Sequence, residues 1–369
     1  MKKTLNFYFP SIENGGLEKN VFSLINSLAE KKYKINFFTY ENNTKSKQLK
    51  NKFHFHKKIN VITSNFVPGI KHRYLKYFFC FFRLLISSIF NNGIIVSFQG
   101  NILPIIVAKI TGKKIIIRCN TAPSKYISNY FKRFFFKTFY SYSDLILVTS
   151  NDFKKEIRKY FKLNSFVHHQ SLDINQIKLK SRMKFNFDFF KKFNGLKIIN
   201  IGRLTFQKDQ MTLLKALVKL LKYKKARVLF IGSGSDKNNL QEFAYKEKID
   251  KFVKFISYTE NPFKYIMLSD IKVLSSRFEG NPNILLEVAC LKKLIISSDS
   301  KVGPREILQS GKGGILFKVG RSDELYLILR KLNINSSSIK KKIKTSYDHV
   351  VKHYQKDISV SFIKLLNNI

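Results

Sequence analysis

Glu279 and Glu287 are separated by seven residues in the stretch Ser275–Glu287, SSRFEGNPNILLE. A strand-like run, Ile271–Ser275, precedes them and an apolar run follows Asn283. This pattern predicts Glu279 in a loop and Glu287 one turn into a helix. Gly280, Asn281, Pro282 and Asn283 form the turn between strand and helix. Gly280 permits close backbone approach, and Pro282 suits a first helical turn. The exposed amides of such a turn make an anion site. A carboxylate placed like Glu287 can accept hydrogen bonds from two vicinal hydroxyls, as on a ribose. Two glutamates at this spacing also arise by chance, and it is the E-G-N-P-N turn between strand and helix that favours chemistry.

A second cluster is Ile201-Gly202-Arg203-Leu204, followed by Lys208-Asp209. A strand ends at Gly202 and a helix starts near Asp209 or Gln210. Arg203 and Lys208 flank the turn, where two cations can grip a diphosphate. The bland reading is solvated charge, since the chain holds 68 Lys and Arg. The position directly after a strand favours binding.

The elements that must carry these loops are legible as short apolar runs alternating with amphipathic stretches. In the first half the strands are expected at 5–9, 35–40, 60–63, 94–97, 114–118, 145–149 and 165–168. A helix is expected over 17–31, with Leu17, Val21, Leu24, Ile25 and Leu28 on one face. After a polar stretch the strands are expected at 197–201, 227–231, 252–256, 271–275, 294–297 and 314–317. The helices of that half are expected at 210–221, 236–246, 283–291 and 322–332. Strands separated by helices imply βαβ units and parallel sheets. The fold class is therefore α/β, two Rossmann-like doubly wound domains facing a cleft, with a C-terminal helical stretch. The expected domains are 1–180, a linker at 181–195, 196–336 and terminal helices at 337–369. In such sheets ligands bind beyond the carboxyl ends of the strands.

The length of 369 residues fits two domains. Three dispersed cysteines exclude a disulfide scaffold and suit a reducing compartment. The formal net charge is +44, and the 102 residues between Glu41 and Asp144 hold 18 Lys or Arg and no acid. Such a field attracts nucleic acid, anionic lipid or phosphorylated ligands. The N-terminal apolar run is five residues, too short for a signal peptide. The longest apolar run, Tyr77–Phe90, holds 14 residues with Arg83 inside it. That is short of the ~20 needed to span a bilayer. It reads equally as a core helix or as a helix lying in a membrane interface with Lys71, Arg73, Lys76 and Arg83 near lipid phosphates. The aromatic, basic stretch Tyr126–Tyr142 favours the membrane.

The stretch Ser275–Glu287 resembles the E-x7-E signature of the family 4 retaining glycosyltransferases, which have the GT-B fold. The Gly202–Asp209 segment is similar to that family's G-R-L-x-x-x-K-[DG]. The resemblance runs along nearly the whole chain. Glu13-Asn14-Gly15-Gly16-Leu17-Glu18-Lys19 resembles the family's N-terminal G-G-x-[ER] loop, though a plain β-α turn would read the same. Ile231-Gly232-Ser233-Gly234 is similar to a G-x-G turn at the nucleotide pocket, and Gly303-Pro304-Arg305-Glu306-Ile307 resembles a G-P-x-E-I loop near it. Tyr258-Thr259-Glu260-Asn261 stands where the family's backbone reads the base. Two positions depart. The first-domain His of many members is replaced within Arg118-Cys119-Asn120-Thr121, by Arg118 or Asn120. Gln170 stands for the Asn of the interdomain segment.

The resemblance implies a hexosyl or N-acetylhexosaminyl transferase using a nucleotide-sugar donor, a UDP-sugar, with no cofactor and no metal. Glu279, Arg203 and Lys208 would be catalytic. Gly15, Gly16, Gly202, Gly280, Asn281, Pro282, Asn283 and Glu287 would bind the donor. The acceptor would be a polyprenyl-diphosphate-linked or growing surface glycan. The acid-free first domain would then hold the protein on the anionic inner face of the cytoplasmic membrane. No D-x-D occurs, so diphosphate binding through a metal at such a motif is unsupported. His168 and His169 lack a third ligand at metal spacing and read as surface imidazoles in a linker. The rivals are a UDP-sugar epimerase of the same fold, and a basic nucleic-acid-binding protein for which no recognition module is present. No specific nucleic acid is expected.

Overall fold

The computed structural model describes residues 3–12, 16–41, 55–64, 70, 72–300, 302–355 and 357–369. The chain forms two compact units, Met1–Ser171 with Lys356–Ile369, and Leu172–Gln355.

The first unit contains β1 (Thr4–Tyr8), α1 (Gly16–Glu30), β2 (Lys34–Thr39), β3 (Ile59–Thr63), α2 (Arg73–Phe90), β4 (Ile94–Ser97), α3 (Ile102–Thr111), β5 (Ile115–Arg118), α4 (Tyr130–Ser141), β6 (Leu145–Val148), α5 (Asn151–Phe161) and β7 (Phe166–Val167). Its sheet has the order β3-β2-β1-β4-β5-β6-β7, and every strand pair is parallel. Helices on a sheet bury both faces of its inner strands, which is why β1, β4, β5 and β6 are near-continuous apolar runs.

The second unit contains α6 (Ile174–Ser181), β8 (Leu196–Ile201), α7 (Gln210–Leu221), β9 (Ala226–Ile231), α8 (Lys237–Lys246), β10 (Val253–Ile256), α9 (Phe263–Leu268), β11 (Ile271–Leu274), α10 (Asn283–Cys290), β12 (Leu294–Ser298), α11 (Pro304–Ile307), β13 (Ile315–Phe317), α12 (Ser322–Lys331) and α13 (Ser337–Tyr354). Its parallel sheet has the order β10-β9-β8-β11-β12-β13. In each sheet the order reverses at one place, between β1 and β4 and between β8 and β11. The loops that leave β8 and β11 therefore emerge side by side.

The thirteen expected strands form, each within two residues of its expected ends. Two domain boundaries differ from expectation. The units part at Ser171–Leu172, not at 181–195. Phe187, Phe189 and Phe190 pack with the second core, and Arg227 donates to the Phe189 carbonyl and lies over the Phe193 ring. The terminal stretch also divides. α13 stays with the second unit, while α14 (Ile358–Leu366) returns to the first and buries Ile358, Phe362 and Leu366 in its core. His168 and His169 are not surface imidazoles. His168 is fully buried, with Nε2 3.1 Å from the Ile358 carbonyl and its ring edge-on to Phe362; His169 is half-buried. Burial, helped by the Arg118 charge, pushes the His168 imidazole down to about 3.

Among the described residues no helix is long and apolar enough to cross a membrane. α2 instead carries two apolar faces. Tyr77, Cys80 and Leu84 point inward, and Leu75, Phe78, Phe82, Ile86 and Ile89 are exposed at helical spacing. Lys71 lies outside the described residues. α3 lies between α2 and α4, and α4 exposes Tyr130, Phe131, Phe134 and Phe135.

Candidate functional site

In a doubly wound sheet the strand order reverses where a crevice opens, and ligands bind there. At the β8/β11 reversal the two loops are laced together. The Arg277 amide donates to the Gln207 carbonyl at 2.8 Å, and Gln207 Nε2 donates to the Phe278 carbonyl at 3.1 Å. Ser275 Oγ donates to the Lys208 carbonyl at 3.1 Å. Arg277 Nε lies 3.4 Å from Asp209 Oδ2, and the guanidinium stacks over Phe206.

This lacing brings Lys208 onto Glu279. Lys208 Nζ donates to Glu279 Oε1 at 2.6 Å, with side chains 17% and 6% exposed. A charge-assisted bond so sheltered is strong. Asp209, directly after Lys208, is buried with φ 45°, a left-handed conformation that costs a non-glycine residue energy. Its carboxylate accepts from Thr212 Oγ1 at 2.9 Å, and this holds the turn at the start of α7.

Two glycine pairs let backbones meet around the pair. A Cβ on Gly232 would stand 2.1 Å from the Gly202 carbonyl oxygen, and one on Gly234 2.1 Å from that of Leu204. The G-x-G turn after β9 thus packs directly on the Gly202–Leu204 loop. On the other side, Gly303 has φ 94°, and its Cβ would meet the Gly280 carbonyl at 2.5 Å and Pro282 Cδ at 2.9 Å. The G-P-R-E-I loop therefore supports the turn that follows Glu279. Arg305 there is held by Asp299 through two hydrogen bonds.

The expected residues fall as follows. Gly202 lies under the Lys208 side chain, with Cδ and Cε 3.7 Å from its Cβ position. Arg203 is exposed, and its Nη2 lies 3.4 Å from Gln207 Oε1. Gly280 and Pro282 abut Gly303, and Asn281 hydrogen-bonds Tyr354. Asn283 opens α10, and Glu287 is buried on it. Burial and then the charge of Glu287 push the Cys290 thiol up to about 12. Gly16 is exposed at the start of α1, in the first unit. Gly15, Glu13 and Asn14 lie outside the described residues. Of the two candidates for the missing first-domain His, Arg118 is buried over Phe98, with Nε and Nη1 unpartnered. Burial lowers it to about 10. Asn120 is half-buried and donates to the Phe98 carbonyl at 2.7 Å.

One group at this site was not legible beforehand. Lys272, in the middle of β11, is fully buried, and its Nζ lies 3.4 Å from the Ile201 carbonyl.

Residues 182–348 match the family described as glycosyl transferases group 1. The match falls within the second unit. The match takes in β8 to β13 and every residue of the Lys208–Glu279 site. An uncharacterized glycosyltransferase of Methanocaldococcus jannaschii is 35% identical over 178 residues, 47% of this chain and 44% of that protein. The N-acetylgalactosamine-N,N'-diacetylbacillosaminyl-diphospho-undecaprenol 4-alpha-N-acetylgalactosaminyltransferase of Campylobacter jejuni is 23% identical over 62% of this chain and 63% of its own length. The chain thus spans less than two thirds of these relatives. The fold likeness, by contrast, is complete. The Anabaena Alr3699/HepE structure in complex with UDP superposes with a TM-score of 0.78 over 100% of both chains at 14% identity. The lipopolysaccharide outer core galactosyltransferase WaaB superposes with a TM-score of 0.73 over 100% of both at 18% identity. The chain has the GT-B fold, and the match to the group 1 family lies in its second unit.

Proposed function

We propose that the protein is a retaining glycosyltransferase of the hexosyl or N-acetylhexosaminyl type. Its donor is a nucleotide-sugar, a UDP-sugar, and its acceptor a lipid-linked or growing surface glycan. The observation that carries this reading is the Lys208–Glu279 pair at the strand-order reversal of a group 1 domain, with Arg203 beside it.

The chemistry follows from the charges. As the bond from the anomeric carbon to the diphosphate breaks, negative charge builds on the leaving phosphate. Arg203, Lys208 and the amides at the start of α10 stabilise that charge without a metal. Glu279 accepts hydrogen bonds from sugar hydroxyls, and Glu287 from the ribose. The acceptor hydroxyl attacks from the face the leaving group vacates and passes its proton to the departing phosphate oxygen. The bond broken is carbon–oxygen to the diphosphate, and the bond formed is carbon–oxygen to the acceptor, with the anomeric configuration kept. The UDP in the Anabaena neighbour and the diphospho-undecaprenol in the Campylobacter relative's name support this choice of donor and acceptor.

A lipid-linked acceptor is met at a membrane, and the protein works on the inner face of the cytoplasmic membrane. The support is the exposed apolar and aromatic surface of α2 and α4, where Arg73, Arg83 and Lys132 are also exposed and neither helix holds an acid.

The test is nucleotide release from a panel of UDP- and GDP-sugars, with and without a bacterial lipid-linked acceptor extract. Acceptor-dependent release from one donor, lost in Glu279→Ala, is the expected result. Conversion of a UDP-sugar to its epimer without acceptor would replace this reading with an epimerase. No reaction and no binding with any donor would overturn it.

A further inference from the structure

A strand buried on both faces is expected to be apolar throughout, and β11 breaks this rule. Its four residues, Ile271-Lys272-Val273-Leu274, are all buried. Lys272 lies between Ile199 of β8 and Ile295 of β12 in register. Its fractional exposure is 0%, and the Ile201 carbonyl at 3.4 Å is a weak acceptor for a group with three protons to donate. An ammonium in that position costs stability. Departures of this kind are expected at functional sites.

The position of Nζ explains the departure. Ile201 is the last residue of β8, and Gly202 follows it. The Lys208 side chain crosses the same turn at Gly202 and ends on Glu279. Two lysines and one glutamate thus converge on one backbone turn from two loops and a strand. The Lys208–Glu279 pair alone has no net charge, so a phosphate gains little from it. With Lys272 behind it, the cluster is cationic.

We infer that Lys272 is a positioning residue that keeps Glu279 compensated when Lys208 turns from it to the donor's diphosphate. Without Lys272, moving Lys208 would strand a buried carboxylate beside the incoming phosphates. With it, Lys208 is free to change partner and Glu279 stays ionised and in place for the sugar. This rests on the transferase reading given above. It goes further by assigning a role to a residue that touches neither sugar nor phosphate.

Burial pushes the Lys272 ammonium well below the ordinary lysine range. The Lys208 charge adds to the shift and the Glu279 charge opposes it. Those are the charged groups that face it from the β8 loop and from the loop after β11. A diphosphate arriving nearby favours the protonated form, so UDP binding is coupled to proton uptake in the pH range where Lys272 titrates.

The test compares the full-length wild type with Lys272→Met, a replacement of similar volume without charge. Two quantities are read, the melting temperature, and UDP binding by calorimetry in buffers of different ionisation heat. The variant is expected to melt higher, since a buried charge is gone. Its UDP affinity is expected to fall about tenfold or more, the scale of one unit charge several ångströms from a phosphate at an effective dielectric of about 20. Proton uptake on UDP binding, read across a pH series, is expected in the wild type and absent in the variant. A variant that binds UDP with unchanged affinity and unchanged proton uptake would overturn the inference. If Lys272→Met does not fold, Lys272→Gln and the wild-type proton uptake decide, and no uptake by the wild type sinks it. Wild type that binds neither UDP nor GDP overturns the transferase reading itself, a different result from a silent Lys272.

Discussion

Lys208 donates to Glu279 at 2.6 Å across 71 residues of chain. Two strands, β9 and β10, intervene in sequence, yet β8 and β11 are neighbours in the sheet. Doubly wound topology thus does the work of bringing the two loops together, and hydrogen bonds between the loops fix the approach. The pair's electrostatics follow from its shelter. Each side chain has lost most of its water, so each needs the other.

Removing one partner at a time separates charge from shape. Lys208→Met leaves the Glu279 carboxylate largely buried and is expected to cost about 1–3 kcal/mol of stability. Glu279→Gln keeps the shape and an acceptor oxygen for Lys208, and is expected to cost less stability than Lys208→Met. The double variant, Lys208→Met with Glu279→Gln, is expected to recover most of the stability lost in Lys208→Met. All three are expected to lose nucleotide release by ~10²–10³, the scale of one removed transition-state contact. Thermal melts alongside the release assay check this. Recovery of activity together with stability in the double variant would make the pair structural only.

Gly232→Ala tests the support of the same site. The added methyl would stand 2.1 Å from the Gly202 carbonyl, at a backbone φ of 148°. The Gly202–Leu204 loop must shift, and Arg203 and Lys208 with it. UDP affinity is expected to fall at least tenfold, since a displacement near 1 Å can cost ~10²-fold in such sites. Gly112→Ala is the control. It also has positive φ, but its Cβ meets nothing within 4 Å. It is expected to cost only ~1 kcal/mol of stability and to leave binding unchanged.

Much of this site was legible because its residues sit in loops directly after strands, and buried parallel strands are the plainest signal in such a sequence. Arg203, Lys208 and Glu279 could be placed in their loops from that rule, and Glu287 in the helix from the apolar run that follows Asn283. The mutual contact of Lys208 and Glu279 could not, since it depends on strand order and not on spacing. Lys272 was hidden for the opposite reason. One lysine inside a four-residue strand leaves the apolar run intact to the eye, and only burial on both faces makes it anomalous. His168 was misread because the segment after β7 looks polar and linker-like. What buries it is α14, returning from 190 residues away, and nothing local announces that return.

The docking of α14 should depend on pH through His168. Folding lowers its pKa from the ordinary 6.5 to about 3. The unfolded chain therefore binds the proton more tightly, and acid favours unfolding. The contribution is fully present above about pH 6.5. It is lost as pH falls toward 3, at up to ~1.4 kcal/mol per pH unit. His168→Phe keeps the ring contact with Phe362 and removes the titration. Melting curves from pH 7.5 to 4.5 are expected to fall more steeply for the wild type than for the variant. Parallel curves would show that the imidazole does not set the acid sensitivity.

The last prediction concerns α2 and α4. The inner stripe of α2 explains why the helix folds onto the sheet. It does not explain the second stripe, Leu75, Phe78, Phe82, Ile86 and Ile89, or the rings of Tyr130, Phe131, Phe134 and Phe135 on α4. Water is a poor solvent for such a face, so some partner is implied. A second copy of the same face would set Arg83 and Lys132 against their own kind, and no acid stands between Glu41 and Asp144 to relieve this. An anionic bilayer satisfies both features, with the rings at headgroup depth and the cations on lipid phosphates. The protein is therefore expected to float with vesicles containing phosphatidylglycerol and to stay in solution with neutral phosphatidylcholine vesicles. Phe82→Ser with Phe134→Ser is expected to abolish flotation at moderate salt while UDP affinity is unchanged, because both residues lie in the first unit, outside the Lys208–Glu279 site. High salt is expected to release the wild type only in part, since the apolar contribution is unscreened. Equal flotation of the double variant would place the attraction in charge alone, and concentration-dependent dimerisation lost in the variant would assign the face to a second copy instead.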